Sequence, residues 1–230
     1  MIFRQLLEVE TCTYSYLLGD EVSKEAILID SVKKMTDQYI QLLNELDLTL
    51  KIVVDTHLHA DHITGTGLLS KETGCTIYQG IPARSSGVSK TFQDNDLISA
   101  GEINLSAIYT PGHTDDSYCF LLNKVTPYLL FTGDTLLIRG TGRTDFQNGS
   151  SRQQYNSIFK KLLTLPESTK VFPGHDYNGM TMSTLKEERL FNPRLQVADC
   201  SEYEELMSSL KLTRPRFMDQ AIPANLHCGQ

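Results

Sequence analysis

THLHADH, residues 56–62, packs three of the chain's six histidines and an aspartate into seven positions. It follows KIVVD, residues 51–55, an apolar run with the length and β-branched content of a buried strand. This is not the helical zinc-protease motif, which needs histidines at i and i+4 and a glutamate beside the first. Here Asp61 stands four positions after His57 and there is no glutamate. If the strand continues to about His59, His57 and His59 face one side, because strand side chains alternate. Asp61 and His62 are neighbours, so gathering both at one place requires the chain to turn. The spacing predicts a strand-to-helix junction that fans four metal-capable side chains around a small volume.

The remaining segments supply similar junctions. YTPGH places His113 after the apolar run EINLSAIYT, and FPGH places His175 after KVFPG. Each histidine sits behind a Pro-Gly pair, which makes a tight turn and lets backbone pass close to another group. YLLFTGD ends a further run at Asp134. Five histidines and two aspartates thus fall at predicted strand ends, where a rigid sheet edge can hold a site. Singly, a histidine after Pro-Gly or an aspartate after Thr-Gly is an ordinary turn residue. Together they point to a metal site. His227 lies outside this pattern and reads as a structural or surface residue.

CTYSYLLGD, EAILID, CTIYQG and SYCFLLN complete the expected strands. Met35, Tyr39, Leu42, Leu43 and Leu46 recur at helical spacing and predict a helix over 33–46. ITGTGLLSKETG predicts a second helix, stopped by Gly74. SSRQQYNSIFKKLLTLP predicts a third, with Tyr155, Ile158, Phe159, Leu162 and Leu163 on one stripe and Pro166 closing it. Residues 80–96 show no period and read as a loop. The last fifty residues read as mostly helical to Leu210 and irregular beyond. Strands come in runs with helices between and after them, which favours an α/β protein of the α+β type, with two helix-covered sheets. No linker divides residues 1–230, so a single domain is expected.

The net charge of −7 argues against a nucleic-acid partner. No apolar run approaches the roughly 18 residues of a membrane span. MIFRQLLEVE has neither a secretory signal's apolar core nor a transit peptide's composition, so the cytoplasm is the expected location. Five cysteines without a C-x-x-C pair exclude a disulfide framework or zinc ribbon. Cys228, near the terminus, is the one expected to be exposed.

H-x-H-x-D-H followed by a distant His, Asp and His resembles the signature of the metallo-β-lactamase fold. Here these residues are His57, His59, Asp61, His62, His113, Asp134 and His175. TCTYSYLLGD, THLHADHITGTGLL, YTPGHT, FTGDTLLIRGTGRTDFQ, FPGHDYNG, EERLFNPRL and IPANLHCG narrow the likeness to the persulfide dioxygenases (sulfur dioxygenases). FTGDTLLIRGTGRTDFQ is the most specific piece, and no rhodanese-like domain is expected. The resemblance implies an αββα sandwich and one ferrous iron per chain held by His57, His113 and Asp134, which are also the catalytic residues. His59, Asp61, His62 and His175 would then support the site. Two histidines and one carboxylate leave open positions where a persulfide sulfur and O2 can meet. The implied reaction converts glutathione persulfide, O2 and water to sulfite and glutathione. Glutathione carries two carboxylates, for which Arg143, Tyr177 and Arg194 are the candidate partners. Arg143 has a competing role, pairing with Asp145 or Asp176. The resemblance is also consistent with a homodimer. All seven positions used by two-metal hydrolases are present, so the residues alone leave open a glyoxalase II-like thioesterase (hydroxyacylglutathione hydrolase). The short tail after His175 weighs against that rival.

Overall fold

Runs of β-branched and aromatic residues build two six-stranded sheets in the computed structural model, which describes residues 1–82 and 84–230. The first sheet contains β1 (Ile2–Glu8), β2 (Thr13–Gly19), β3 (Glu25–Ile29), β4 (Thr49–Val54), β5 (Thr76–Gly80) and β6 (Lys90–Phe92), in that order. Helix α1 (Thr36–Glu45) connects β3 to β4, and α2 (Thr66–Thr73) connects β4 to β5. The second sheet contains β7 (Leu97–Ala100), β8 (Ile103–Tyr109), β9 (Tyr118–Leu122), β10 (Leu129–Gly133), β11 (Lys170–Pro173) and β12 (Ser183–Thr184), again in sequence order. Helix α3 (Ser151–Lys160) lies between β10 and β11. Helices α4 (Leu185–Phe191), α5 (Cys200–Ser209) and α6 (Met218–Asn225) follow β12.

Three apolar layers give the αββα order. Between the sheets, Tyr16, Ile27 and Ile52 pack against Leu105, Phe120 and Phe131. Outside the first sheet, Tyr39, Leu43 and Leu69 cover Leu28 and Val53. Outside the second, Ile158, Leu162 and Leu185 cover Leu121, Leu130 and Val171. Each such side chain contributes about 1.5–3 kcal/mol by leaving water, which is why both faces of these strands are apolar. Of the stripe expected on α3, Ile158 is buried and Tyr155 and Phe159 are half-buried, while Leu162 and Leu163 are buried in a 3-10 turn just beyond the helix. The helix also buries Gln154 and Ser157 and is capped at its start by Ser150, which accepts the Gln153 N–H.

Topology then gathers the strand ends. β8 and β10 each run antiparallel to β9, and β11 runs parallel to β10. The C-terminal ends of β8, β10 and β11 therefore share one edge, and His113, Asp134 and His175 follow from it. The end of β4 delivers THLHADH to the same place from the first sheet.

Several expectations need correction. β4 stops at Val54, so strand alternation does not align His57 with His59. Their rings meet, with centroids 4.2 Å apart, because the chain turns. The stretch read as a loop contains β6, whose only buried side chain is Phe92, too short a strand to show a period. The stretch read as irregular contains α6, disguised by Pro223 within it. Cys228 is buried, because α6 and the residues after it fold back: the Cys228 carbonyl accepts the Gly67 N–H of α2 at 2.9 Å. His227 is exposed and hydrogen-bonds Ser86. Among the described residues, no helix is long and apolar enough to cross a membrane.

Candidate metal centre

His57, His113 and Asp134 each present one donor atom, and the three atoms lie within 4.8 Å of one another. In each residue the other atom is tied back into the fold. Asp30 accepts the Thr56 N–H at 2.6 Å and the Thr56 hydroxyl at 3.0 Å. The Thr56 oxygen is left to accept from His57 Nδ1 at 3.0 Å, which leaves Nε2 with its lone pair. His113 Nδ1 donates to the Arg143 carbonyl at 2.7 Å, and its Nε2 lies 3.6 Å from Asp134 Oδ2. Asp134 Oδ1 accepts from His175 Nδ1 at 2.7 Å. Such outer partners fix tautomer and ring orientation in metal sites.

The electrostatics suit the same use. Burial, then His59 and His113, hold His57 well below the usual imidazole range, so its ring is neutral. Burial opposes the charge on Asp134, but His175, which donates to Oδ1, outweighs it and keeps the carboxylate ionised. Two imidazole nitrogens and one carboxylate oxygen form a donor set that a divalent transition metal accepts.

The remaining histidines gather beside this set. His59, Asp61 and His62 bring donor atoms within 4.8 Å of one another. Asp61 Oδ2 accepts from His62 Nδ1 at 2.9 Å and from His175 Nε2 at 2.8 Å. His175 therefore bridges two carboxylates and donates from both ring nitrogens, which makes it an imidazolium. His59 Nε2 faces Asp30 Oδ1 at 3.2 Å. His59 Nδ1 and His62 Nε2 are buried without a partner among the described residues.

A cleft of about 640 Å³ opens over His113, Asp134 and His175, walled by residues 137–143, Tyr177, Arg194 and the strap of residues 212–218. The candidate substrate residues all line it, with different commitments. The guanidinium of Arg143 forks onto Asp145 at 2.6 and 2.7 Å, and Nη1 donates to the Thr213 carbonyl at 2.6 Å. Asp176 instead accepts backbone N–H groups of Asn178 and Met180. Arg194 is half-buried and its Nη1 holds Thr141, but no carboxylate pairs with it among the described residues. Tyr177 is exposed, its ring nearly parallel to that of His175 with centroids 6.1 Å apart.

Sequence reasoning passed over residues that build this centre. Asp30 and Asp55 end apolar strands as Asp134 does, and that shared pattern was a usable signal. They cluster with His59. Asn225, in α6, donates to the carbonyls of His59 (2.9 Å) and His62 (2.8 Å) and accepts the Thr64 N–H (2.9 Å). Nothing local in the sequence links it to a loop 160 residues earlier.

Known proteins resemble this chain over most or all of its length. The metallo-beta-lactamase superfamily profile matches residues 13–87 and 78–175. A bovine protein named persulfide dioxygenase ETHE1, mitochondrial, is 46% identical over all of this chain and 89% of its own length. The crystal structure of ETHE1 from Myxococcus xanthus superposes with a TM-score of 0.96 at 45% identity, covering the whole of both chains. A probable hydroxyacylglutathione hydrolase of Schizosaccharomyces pombe is more distant, 30% identical over 90% of each chain. The chain belongs to the metallo-beta-lactamase superfamily and, within it, to the persulfide dioxygenases.

Proposed function

We propose that this chain oxidises glutathione persulfide with O2 and water to sulfite and glutathione, using one ferrous iron held by His57, His113 and Asp134. The S–S bond breaks, the sulfane sulfur is oxidised by four electrons as O2 is reduced, and two protons leave with sulfite. The observation that carries the reading is whole-length likeness to persulfide dioxygenases, joined to a two-histidine, one-carboxylate donor set of which His113 and Asp134 line an open cleft. Iron bound there would supply open positions that bring the sulfur and O2 together.

The chain's own residues do the rest. The open cleft admits a tripeptide thiol, and Arg194, which pairs with no carboxylate among the described residues, is placed to take one from the glutathionyl tail. Arg143, already committed to Asp145 and Thr213, serves instead to hold the site loop. Tyr177 flanks the entrance. His175 holds a proton between Asp61 and Asp134, beside the reacting centre. His59, Asp61 and His62 support the metal-binding turn. We read residues 1–230 as one domain, since both sheets share the central core. The cytoplasm is our expectation for this chain, whereas the bovine relative's name says mitochondrial.

A second reading is favoured by one observation. Among the described residues, His59 Nδ1 and His62 Nε2 are buried without partners, as donors for a second metal would be. That would suit a two-metal thioesterase. Anaerobic purification with metal analysis, joined to O2 uptake on glutathione persulfide, separates the two. About one iron per chain with O2 consumption supports the dioxygenase. Two zinc ions with thioester hydrolysis refute it.

A further inference from the structure

The segment EERLFNPRL, residues 187–195, enters the site described above only through Arg194. Its buried polar side chains reach one loop. Glu188 of α4 and Asn192 at its C-terminal cap are both fully buried, at 0% exposure. A carboxylate is costly to remove from water, so its partners are informative. Glu188 accepts the backbone N–H of Arg139 at 2.8 Å, the Ser183 hydroxyl at 2.6 Å and the Asn192 amide at 2.9 Å, and it pairs with the Arg139 guanidinium. Asn192 Nδ2 also donates to the carbonyls of Gly140 at 2.9 Å and Leu137 at 3.4 Å. Arg194 holds the Thr141 carbonyl. One short segment thus pins the loop 137–143 at four backbone groups. Arg139 sits at φ 58°, a left-handed conformation that persists in a non-glycine residue only when its surroundings over-determine it.

The far end of this loop touches two members of the proposed metal set. Gly142 donates its N–H to the Asp134 carbonyl at 2.7 Å. It lies so close beneath His113 that a Cβ would stand 2.8 Å from Nδ1. The next carbonyl, of Arg143, accepts the His113 Nδ1–H at 2.7 Å.

We propose that Glu188 and Asn192 are positioning residues for the metal, clamping loop 137–143 so that it orients the His113 ring and braces the backbone of Asp134. The inference rests on reading His57, His113 and Asp134 as the metal donors, but not on the substrate. Glu187 serves as an internal comparison. It bonds the same guanidinium at 2.8 Å from a half-exposed position and, among the described residues, its side chain hydrogen-bonds no backbone of the loop.

The test is anaerobic titration of the metal-free full-length chain with Co(II), whose visible bands report the number and arrangement of its ligands. Loss of a residue supporting a metal ligand costs about 10–100-fold in affinity. Glu188→Gln and Asn192→Ser act one step further out, so a rise in Kd of roughly tenfold with altered bands is expected for each. Glu187→Gln stays within about twofold. A purely structural role would lower Tm and leave the affinity and spectrum of folded protein unchanged. Wild-type affinity and bands in Asn192→Ser, which removes no charge, overturn the proposal even if Glu188→Gln does not fold. The same result in a folded Glu188→Gln also overturns it. A wild-type chain that takes up no cobalt refutes the metal reading itself.

Discussion

Replacing Arg194 with methionine keeps most of the side chain's length and apolar contact and removes its charge. Of the arginines lining the cleft, Arg139 pairs with Glu187 and Glu188, Arg143 with Asp145, and Arg214 with Asp219. Arg216 is exposed, its guanidinium over the Phe217 ring. Arg194 alone combines partial burial with no carboxylate among the described residues. Burial, the larger influence, holds its pKa below the usual value. A charge-assisted bond to a substrate carboxylate at such a site contributes about 1.5–3 kcal/mol. At about 1.4 kcal/mol per factor of ten, a loss of 2 kcal/mol raises KM roughly 30-fold. Turnover changes little, because the carboxylate lies away from the reacting sulfur and is held equally before and during reaction. Removing Arg194 also strips a donor from Thr141, which lowers stability by about 1 kcal/mol without entering KM. Arg194→Lys keeps the charge and loses the planar fork, and is expected to fall between the two. The assay is initial O2 uptake across a range of glutathione persulfide concentrations, with Tm measured in parallel. A KM within twofold of wild type in Arg194→Met, or a kcat reduced as much as kcat/KM, refutes the assignment.

His113→Ala is expected to lose bound iron and activity together. Metal analysis of the folded variant checks this, and a full iron complement would show that His113 is not a ligand. Gly142→Ala places a Cβ 2.2 Å from the Asp134 carbonyl and 2.8 Å from His113 Nδ1, so backbone must move. A loss of about 1–3 kcal/mol in denaturant unfolding, with weakened metal uptake, is expected. Unchanged stability would mean the loop yields freely. Burial pushes the Cys119 thiol up to about 12, from an ordinary value of 9.0. With no exposed surface, Cys119 meets a reagent only when the fold opens, so its labelling at pH 8 is expected to be slower than that of a free thiol by about a thousandfold or more. Peptide mass spectrometry after timed iodoacetamide treatment reads it, and labelling at the rate of a free thiol would contradict the buried position.

Local sequence determined the parts of this protein whose physics is local. EAILI and YCFLL are nearly continuous apolar runs because both faces of each strand are covered, whereas INLSAIY alternates because only one of its faces is fully buried. The α1 and α3 stripes follow helical period because one face alone is covered. His57, His59, Asp61 and His62 announce a metal site because four donors in one turn have few other uses. Elements of two or three residues, such as β6 and β12, hold too few side chains to display a period, and Pro223 masks α6. Only the tertiary structure decided which donors converge: strand direction carried His113, Asp134 and His175 to the edge that receives THLHADH. It also decided how the arginines divide, since Asp145 claims Arg143 while no carboxylate among the described residues claims Arg194. Asn225 and Glu188 owe their roles to carbonyls and N–H groups far away in the chain. A hydrogen bond depends on where its partner lies in space, and residue spacing carries that information only over a few turns of chain.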